Sequence, residues 1–294
     1  MFELSVITDE ISQDFERVVE VAAEYGVTAV EPRSVWDKPP QELTDDECRR
    51  IKQIADGAGM KICCIAAPFL KCDIGDERQY DTHLQYLRRF CEMAHMWDCQ
   101  IIRGFTFWKT GPASSVWQQL IDSFEEPLEI CEQEDVYLGI ENEASTHIAT
   151  AREAVQLYEA INHPRLRAIW DPANEVFAEE GEVPFPDAWQ RMKPWVIHVH
   201  IKDAVKDPDA PEGARCVPVG DGGYIDYPGQ FQALLDMDYA GACSLETHWR
   251  PDTELDSALL NQPGGAAFSA GAEAASRICL EKINNIIAEL GVRL

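Results

Sequence analysis

Four short apolar runs in the second half of the chain each stop on a residue that can bind a metal. They run Val136 to Glu141, Leu166 to Asp171, Val196 to His200 and Ala242 to Glu246. Glu141, Asp171, His200 and Glu246 together offer three carboxylates and one imidazole. A donor set this rich in hard oxygen favours Mn²⁺, Mg²⁺ or Co²⁺ in a roughly octahedral shell, with positions left open for a substrate. Zinc suits it less, because zinc prefers fewer ligands and thiolates are absent from the set. One divalent ion is therefore expected here, Mn first, with Mg, Co or Zn as other occupants. The open positions suit a small polyhydroxy carbonyl substrate that presents a carbonyl and a neighbouring hydroxyl. The ion would act as a Lewis acid on the carbonyl and stabilise the enediolate left when the α-proton departs. That proton is weakly acidic and needs a positioned base. Glu141 and Glu246 come from different strands and are the expected acid/base pair. Returning the proton to another carbon isomerises the substrate, and returning it to the other face epimerises it. If a β-leaving group departs instead, the same site is a lyase that dehydrates or cleaves a 3-keto-glycoside.

Each residue alone has a plainer reading. Asp171 precedes Pro172, and Asx-Pro often opens a turn. His198 is expected to pack away from His200. The joint pattern is harder to obtain from packing: one ligand type per consecutive strand, always at the same end.

The elements that must position these residues alternate regularly. Strands are predicted at Leu4 to Ile7, Thr28 to Glu31, Lys61 to Ala66 and Gln100 to Arg103, followed by the four runs above. Helices are predicted at Asp14 to Tyr25, after Thr44, at Glu77 to Met96, Ser115 to Glu134, Arg152 to Ile161, Trp189 to Met192, Tyr227 to Leu235 and Ala270 to Leu290. Thr44 and Glu47 have capping-box spacing. Continuous apolar strands fit a parallel sheet buried on both faces. Eight such units in series specify an α/β fold, a single (β/α)8 TIM barrel over residues 1–294 as one domain. Parallel closure would bring the strand ends together. Long loops at Pro172 to Pro186, Lys206 to Gly223 and Arg250 to Gly265 would cover that face. No glycine-rich dinucleotide turn, P-loop, H-E-x-x-H or G-x-S-x-G occurs.

The bulk composition narrows the partners. With 25 basic and 52 acidic side chains the net charge is −27. No basic footprint exists for nucleic acid or anionic membranes, so neither is an expected partner. A multiply phosphorylated substrate is also disfavoured. No apolar run is long enough to span a bilayer. Met1 to Ile7 reads directly as a strand with no leader pattern, and ten cysteines without a secretion signal fit free thiols in a cytoplasmic protein. Cys63, Cys64, Cys91, Cys99, Cys131 and Cys243 are expected to be small buried hydrophobes.

The motifs Ile140-Glu141-Asn142, Trp170-Asp171-Pro172, His198-Val199-His200-Ile201-Lys202-Asp203 and Ser244-Leu245-Glu246 resemble those of the xylose isomerase-like TIM barrels. More narrowly, they resemble the sugar phosphate isomerase/epimerase family. That group includes ketose 3-epimerases, hydroxypyruvate isomerase, inosose dehydratase and inosose isomerase, with endonuclease IV as a distant relative. The resemblance implies that Glu141, Asp171, His200 and Glu246 are metal ligands and that Glu141 and Glu246 exchange protons with substrate. It implies carbohydrate chemistry and a possible homo-oligomer. Two positions depart from the ketose 3-epimerases: Asn174 stands where they commonly carry His, and Lys206 where they commonly carry Arg. Further candidates for substrate contact are Arg33, Arg103, Trp108, Lys202 and His248, with Trp36 and Trp249 in nearby loops. Lys202 could instead pair with Asp203 outside the site. Gly220-Asp221-Gly222-Gly223 is read as a tight turn.

Overall fold

The computed structural model describes residues 1–292. Its strands are β1 (Glu3–Ile7), β2 (Ala29–Glu31), β3 (Lys61–Ile62), β4 (Ile65–Phe69), β5 (Ile101–Gly104), β6 (Tyr137–Glu141), β7 (Leu166–Trp170), β8 (Val196–Ile201), β9 (Asp203–Lys206), β10 (Ala214–Val217) and β11 (Ala242–Leu245). Nine of them form one parallel sheet in the order β3-β2-β1-β11-β8-β7-β6-β5-β4, and β9 and β10 form a separate antiparallel hairpin. β3 and β4 are successive pieces of the third predicted strand, so the two ends of the sheet are neighbours in the chain. The result is a nearly closed xylose isomerase-like barrel with helices around it.

The break in the third strand has a local cause. Pro32 follows β2 and has no N–H to give to the next strand. The seam is held by bonds running the other way: Cys63 N donates to Val30 O at 3.1 Å and Ala66 N to Pro32 O at 3.0 Å. Cys63 is half-buried at this seam rather than fully buried as expected; the other five cysteines named above are buried, and all ten are free.

Within the barrel, close approach of strands is built into the sequence. A Cβ on Gly139 of β6 would lie 2.7 Å from Ile169 Cγ1 of β7, so glycine lets these neighbours pack. The outward strand faces pack into one apolar core that includes Val6, Val30, Ile102, Leu138, Ala168, Val199 and Leu245, while the alternate positions, among them Ser5, Glu31, His198 and Ser244, face inward.

The caps follow the sequence signals. Thr44 and Glu47 form the capping box, and Asp14 accepts from Glu16 N and Arg17 N. The predicted helix Ser115 to Glu134 is two helices, Trp117–Asp122 and Glu125–Gln133. Pro127 cannot donate to the carbonyl of Ser123, and the Tyr80 hydroxyl donates to that carbonyl instead, at 2.8 Å. The final helix begins at Ala272, because Gly271 takes φ +72°. All three predicted loops carry structure: Pro172–Phe177 and Ser257–Asn261 are helical, and β9 and β10 occupy much of the stretch after β8. No helix among the described residues is long and apolar enough to cross a membrane.

Candidate metal centre and its surroundings

Glu141 ends β6, Asp171 follows β7, His200 lies near the end of β8, and Glu246 follows β11. Because those strands are parallel neighbours, one barrel mouth receives all four side chains. One ligand atom from each falls within 4.8 Å of the others, and all four residues are buried. His200 Nδ1 lies 3.3 Å from Glu141 Oε1 and 3.5 Å from Glu246 Oε2.

Asp171 caps a helix with one carboxylate oxygen and leaves the other to the cluster. Its Oδ1 accepts from Ala173 N at 2.9 Å and Asn174 N at 3.2 Å, capping the helix that Pro172 opens. Its Oδ2 is buried with no hydrogen-bond partner. That atom is 2.6 Å from Lys202 Nζ, an ion pair outside hydrogen-bond geometry. This buried oxygen is therefore matched by a cation, Lys202, within the same cluster as Glu141, His200 and Glu246.

The charges of the surroundings point the same way. Asp9, Glu10, Glu31, Glu141, Asp171 and Glu246 are all buried, against the permanent cations Arg33, Arg103, Lys202 and Arg250. Arg33 Nη1 donates to Glu246 Oε1 at 2.5 Å, and its other nitrogens serve Asp9 and Glu10. Arg103 Nη1 donates to Glu141 Oε2 at 3.2 Å, and Arg250 Nη1 to Glu10 Oε2 at 3.2 Å. The network thus sets six buried carboxyl groups and the His200 imidazole against four permanent cations. Burial alone would lower the His200 pKa, but Glu141, Glu31 and Glu246 outweigh it and raise it well above the usual imidazole value. Burial likewise works against ionised Glu246, yet Lys202, His248 and His200 hold its carboxyl well below the usual range. Asp171 is pushed up to about 7 by burial, against the pull of Lys202.

The other predicted contacts divide into three groups. Asn174, Lys202 and His248 line a cavity of about 260 Å³ together with Phe177 and Cys216. Asn174 Nδ2 donates to Glu141 Oε1 at 3.1 Å, Lys202 Nζ to Glu246 Oε2 at 3.1 Å, and His248 Nε2 lies 3.4 Å from Glu246 Oε1. Arg33, Arg103 and Trp108 line a neighbouring cavity of about 320 Å³. Asn261 lines both cavities, and its carbonyl accepts from Lys71 Nζ at 2.9 Å. Lys206 belongs to neither: it is exposed, and its Nζ donates to Ala178 O at 3.3 Å.

Two further expectations change. Lys202 is not paired with Asp203; Asp203 instead accepts from Gly220 N and Ile225 N and ties down the glycine-rich turn. His198 does not point away from His200. Residues two apart on a strand share a face, and both rings face the interior with centroids 5.4 Å apart.

Sequence reasoning passed over Glu31, Glu10 and Lys71. Glu31 did carry a signal, since it ends the apolar run Ala29-Val30-Glu31 as Glu141 ends its own. Its 2.8 Å contact with His198 Nε2 crosses the barrel, which no local spacing reveals. Glu10 and Lys71 sit in turns and reach the site only through tertiary folding.

Comparison with known proteins agrees with this architecture. The family model described as xylose isomerase-like TIM barrel matches residues 19–275. No curated protein sequence matches the chain. Among solved structures, a probable 3-DHS dehydratase from Bacillus anthracis is 20% identical, with TM-score 0.70 over 94% of this chain and 98% of its own. A D-psicose 3-epimerase from Clostridium cellulolyticum H10, solved with D-tagatose, is 16% identical, with TM-score 0.72 over 97% and 99%. A xylose isomerase-like TIM barrel protein from Mycobacterium smegmatis, in complex with magnesium, is 15% identical, with TM-score 0.69 over 98% and 97%. The chain belongs to the xylose isomerase-like TIM barrel family.

Proposed function

We propose that this protein is a divalent-metal-dependent isomerase or epimerase of a small polyhydroxy ketone or aldehyde. The observation that carries the proposal is the convergence of buried Glu141, Asp171, His200 and Glu246, one ligand atom from each within 4.8 Å of the others. These four would hold the ion, with Mn²⁺ preferred and Mg²⁺ or Co²⁺ as substitutes. When bound, the ion supplies Lewis-acid polarisation of the substrate carbonyl and charge stabilisation for the anion formed by proton loss.

The protein's own groups do the rest. Glu141 is held at about pKa 2: burial would raise it, but His200 and Arg103 keep it ionised, and Glu246 is ionised as well. One of these carboxylates takes the α-proton, and the C–H electron pair becomes the C=C bond of the enediolate. The same carboxylate, or its partner, returns a proton to carbon. Asn174 orients Glu141, and Arg33 orients Glu246; Asn174, Lys202 and His248, which touch these two carboxylates, line the cavity next to them. The cavity of about 260 Å³ lies just below the range for drug-sized ligands and suits a small polyol. Such a substrate supports a role in carbohydrate metabolism, and a cytoplasmic location fits ten free thiols.

One observation favours a second reading. Lys202 Nζ is an ammonium donor beside Asp171 and Glu246, placed to protonate a departing hydroxyl. Proton abstraction followed by loss of that hydroxyl as water would make the enzyme a dehydratase, the activity named for the Bacillus anthracis structure. Turnover in D₂O separates the two. Deuterium incorporated into a product of unchanged formula supports the isomerase; product lighter by one water supports the lyase. Loss of neither proton nor water from any polyhydroxy ketone or aldehyde tested contradicts both.

A further inference from the structure

We infer that Glu31 is a positioning residue for the metal centre: it holds His200 by Nε2 and thereby makes Nδ1 the nitrogen offered to the ion. The inference rests on the metal reading above and adds the orientation of one ligand to it.

The geometry is specific. Glu31 ends β2, on the far side of β1 and β11 from β8. Its carboxylate spans the barrel interior and divides its oxygens between two imidazoles. Oε2 lies 2.8 Å from His198 Nε2, and Oε1 lies 3.4 Å from His200 Nε2. The two rings are nearly perpendicular, at 89°, so one carboxylate reaches both. All three side chains are fully buried, and water cannot stand in for any of them. The opposite edge of the His200 ring presents Nδ1 to Glu141 and Glu246. An imidazole whose far nitrogen donates to a carboxylate is fixed in one tautomer and one ring orientation, and its free nitrogen becomes a stronger ligand. His198 completes the arrangement by holding Oε2, which keeps the Glu31 carboxylate from swinging towards the ligand cluster. Glu31, His198 and His200 could also gather an ion of their own. The 2.8 Å contact is a hydrogen-bond length rather than the separation of ligands around a cation.

The test uses the full chain with metal alone. In ¹⁵N-histidine-labelled protein loaded with Zn²⁺ as a diamagnetic probe, His200 should show metal-bound Nδ1 and protonated Nε2. Calorimetric titration with Mn²⁺ should give one ion per chain. Glu31→Ala should weaken that binding by about 10 to 100-fold, and Glu31→Gln by less, because its amide oxygen still accepts one N–H. Circular dichroism would establish that the variants fold, and the labelled native protein needs no variant. Metal-bound Nε2 on His200 would overturn this inference while leaving the metal centre standing. So would native affinity in Glu31→Ala, or a second ion lost with Glu31, which would make Glu31 a ligand. Failure of the native chain to bind Zn²⁺ or Mn²⁺ would overturn the metal reading and this one together.

Discussion

Lys202 Nζ stands 2.6 Å from Asp171 Oδ2 and 3.1 Å from Glu246 Oε2, between two of the four groups that would grip an ion. A buried ammonium there neutralises the carboxylates and competes with a dication for them. Lys202→Met should therefore tighten Mn²⁺ binding by on the order of tenfold; under the dehydratase reading it should also lower kcat by on the order of 10²-fold, since the leaving group's proton donor goes with the charge. Calorimetry and steady-state rates measure the two effects. Weaker Mn²⁺ binding in the variant would show that Lys202 supports the site rather than competing for it.

Glu141 and Glu246 meet in one cluster with Asp171 and His200, from β6 and from the end of β11. Glu141→Gln and Glu246→Gln should each lower turnover by about 10² to 10⁴-fold, the range for loss of a positioned acid or base, without loss of the far-ultraviolet dichroism of the native fold. Near-native rates in either variant would remove that residue from the proton path.

Ion binding should also appear as stability. An ion that binds only the folded chain at about 100 times its Kd adds about 2.7 kcal/mol. Thermal melts with chelator and with added Mn²⁺ should differ accordingly, and activity should vanish and return with the ion. Identical melts at saturating Mn²⁺ would mean that the four ligands do not act together.

Away from the site, His83 makes a separate pH prediction. Leu70 N donates to His83 Nδ1 at 2.9 Å, which requires an unprotonated nitrogen. Burial lowers its pKa from 6.5 to about 4. A depressed folded-state value means that the stabilisation is complete above pH 6.5 and is lost as pH falls through about 4, to a limit of about 3 kcal/mol. Compared with His83→Gln, the native protein should lose more of its melting temperature between pH 7 and pH 4. Parallel curves for the two proteins would contradict this.

What the sequence reveals here depends on range. The barrel, the strand ends and the gathering of Glu141, Asp171, His200 and Glu246 were legible because each rests on local signals: apolar runs, caps and a polar residue at a fixed offset. Asp171 shows that the helix-cap reading and the cluster are compatible, since Oδ1 caps a helix while Oδ2 faces Lys202. Lys206 shows a limit of local spacing: its offset from His200 did not reveal the β9–β10 hairpin on which it stands, exposed and bonded to Ala178 O. The Glu31–His198–His200 contacts were illegible, because β2 and β8 meet only across the closed interior. The broken third strand came from a missing donor at Pro32, a feature of the neighbouring strand rather than of its own residues.

The most direct test of the account is an anomalous-scattering map from crystals of the full chain soaked in Mn²⁺. The account predicts one strong peak in contact with Asp171 Oδ2, His200 Nδ1 and the carboxylates of Glu141 and Glu246. A peak among Glu10, Glu246 and His248 instead, or no peak at saturating Mn²⁺, would contradict it.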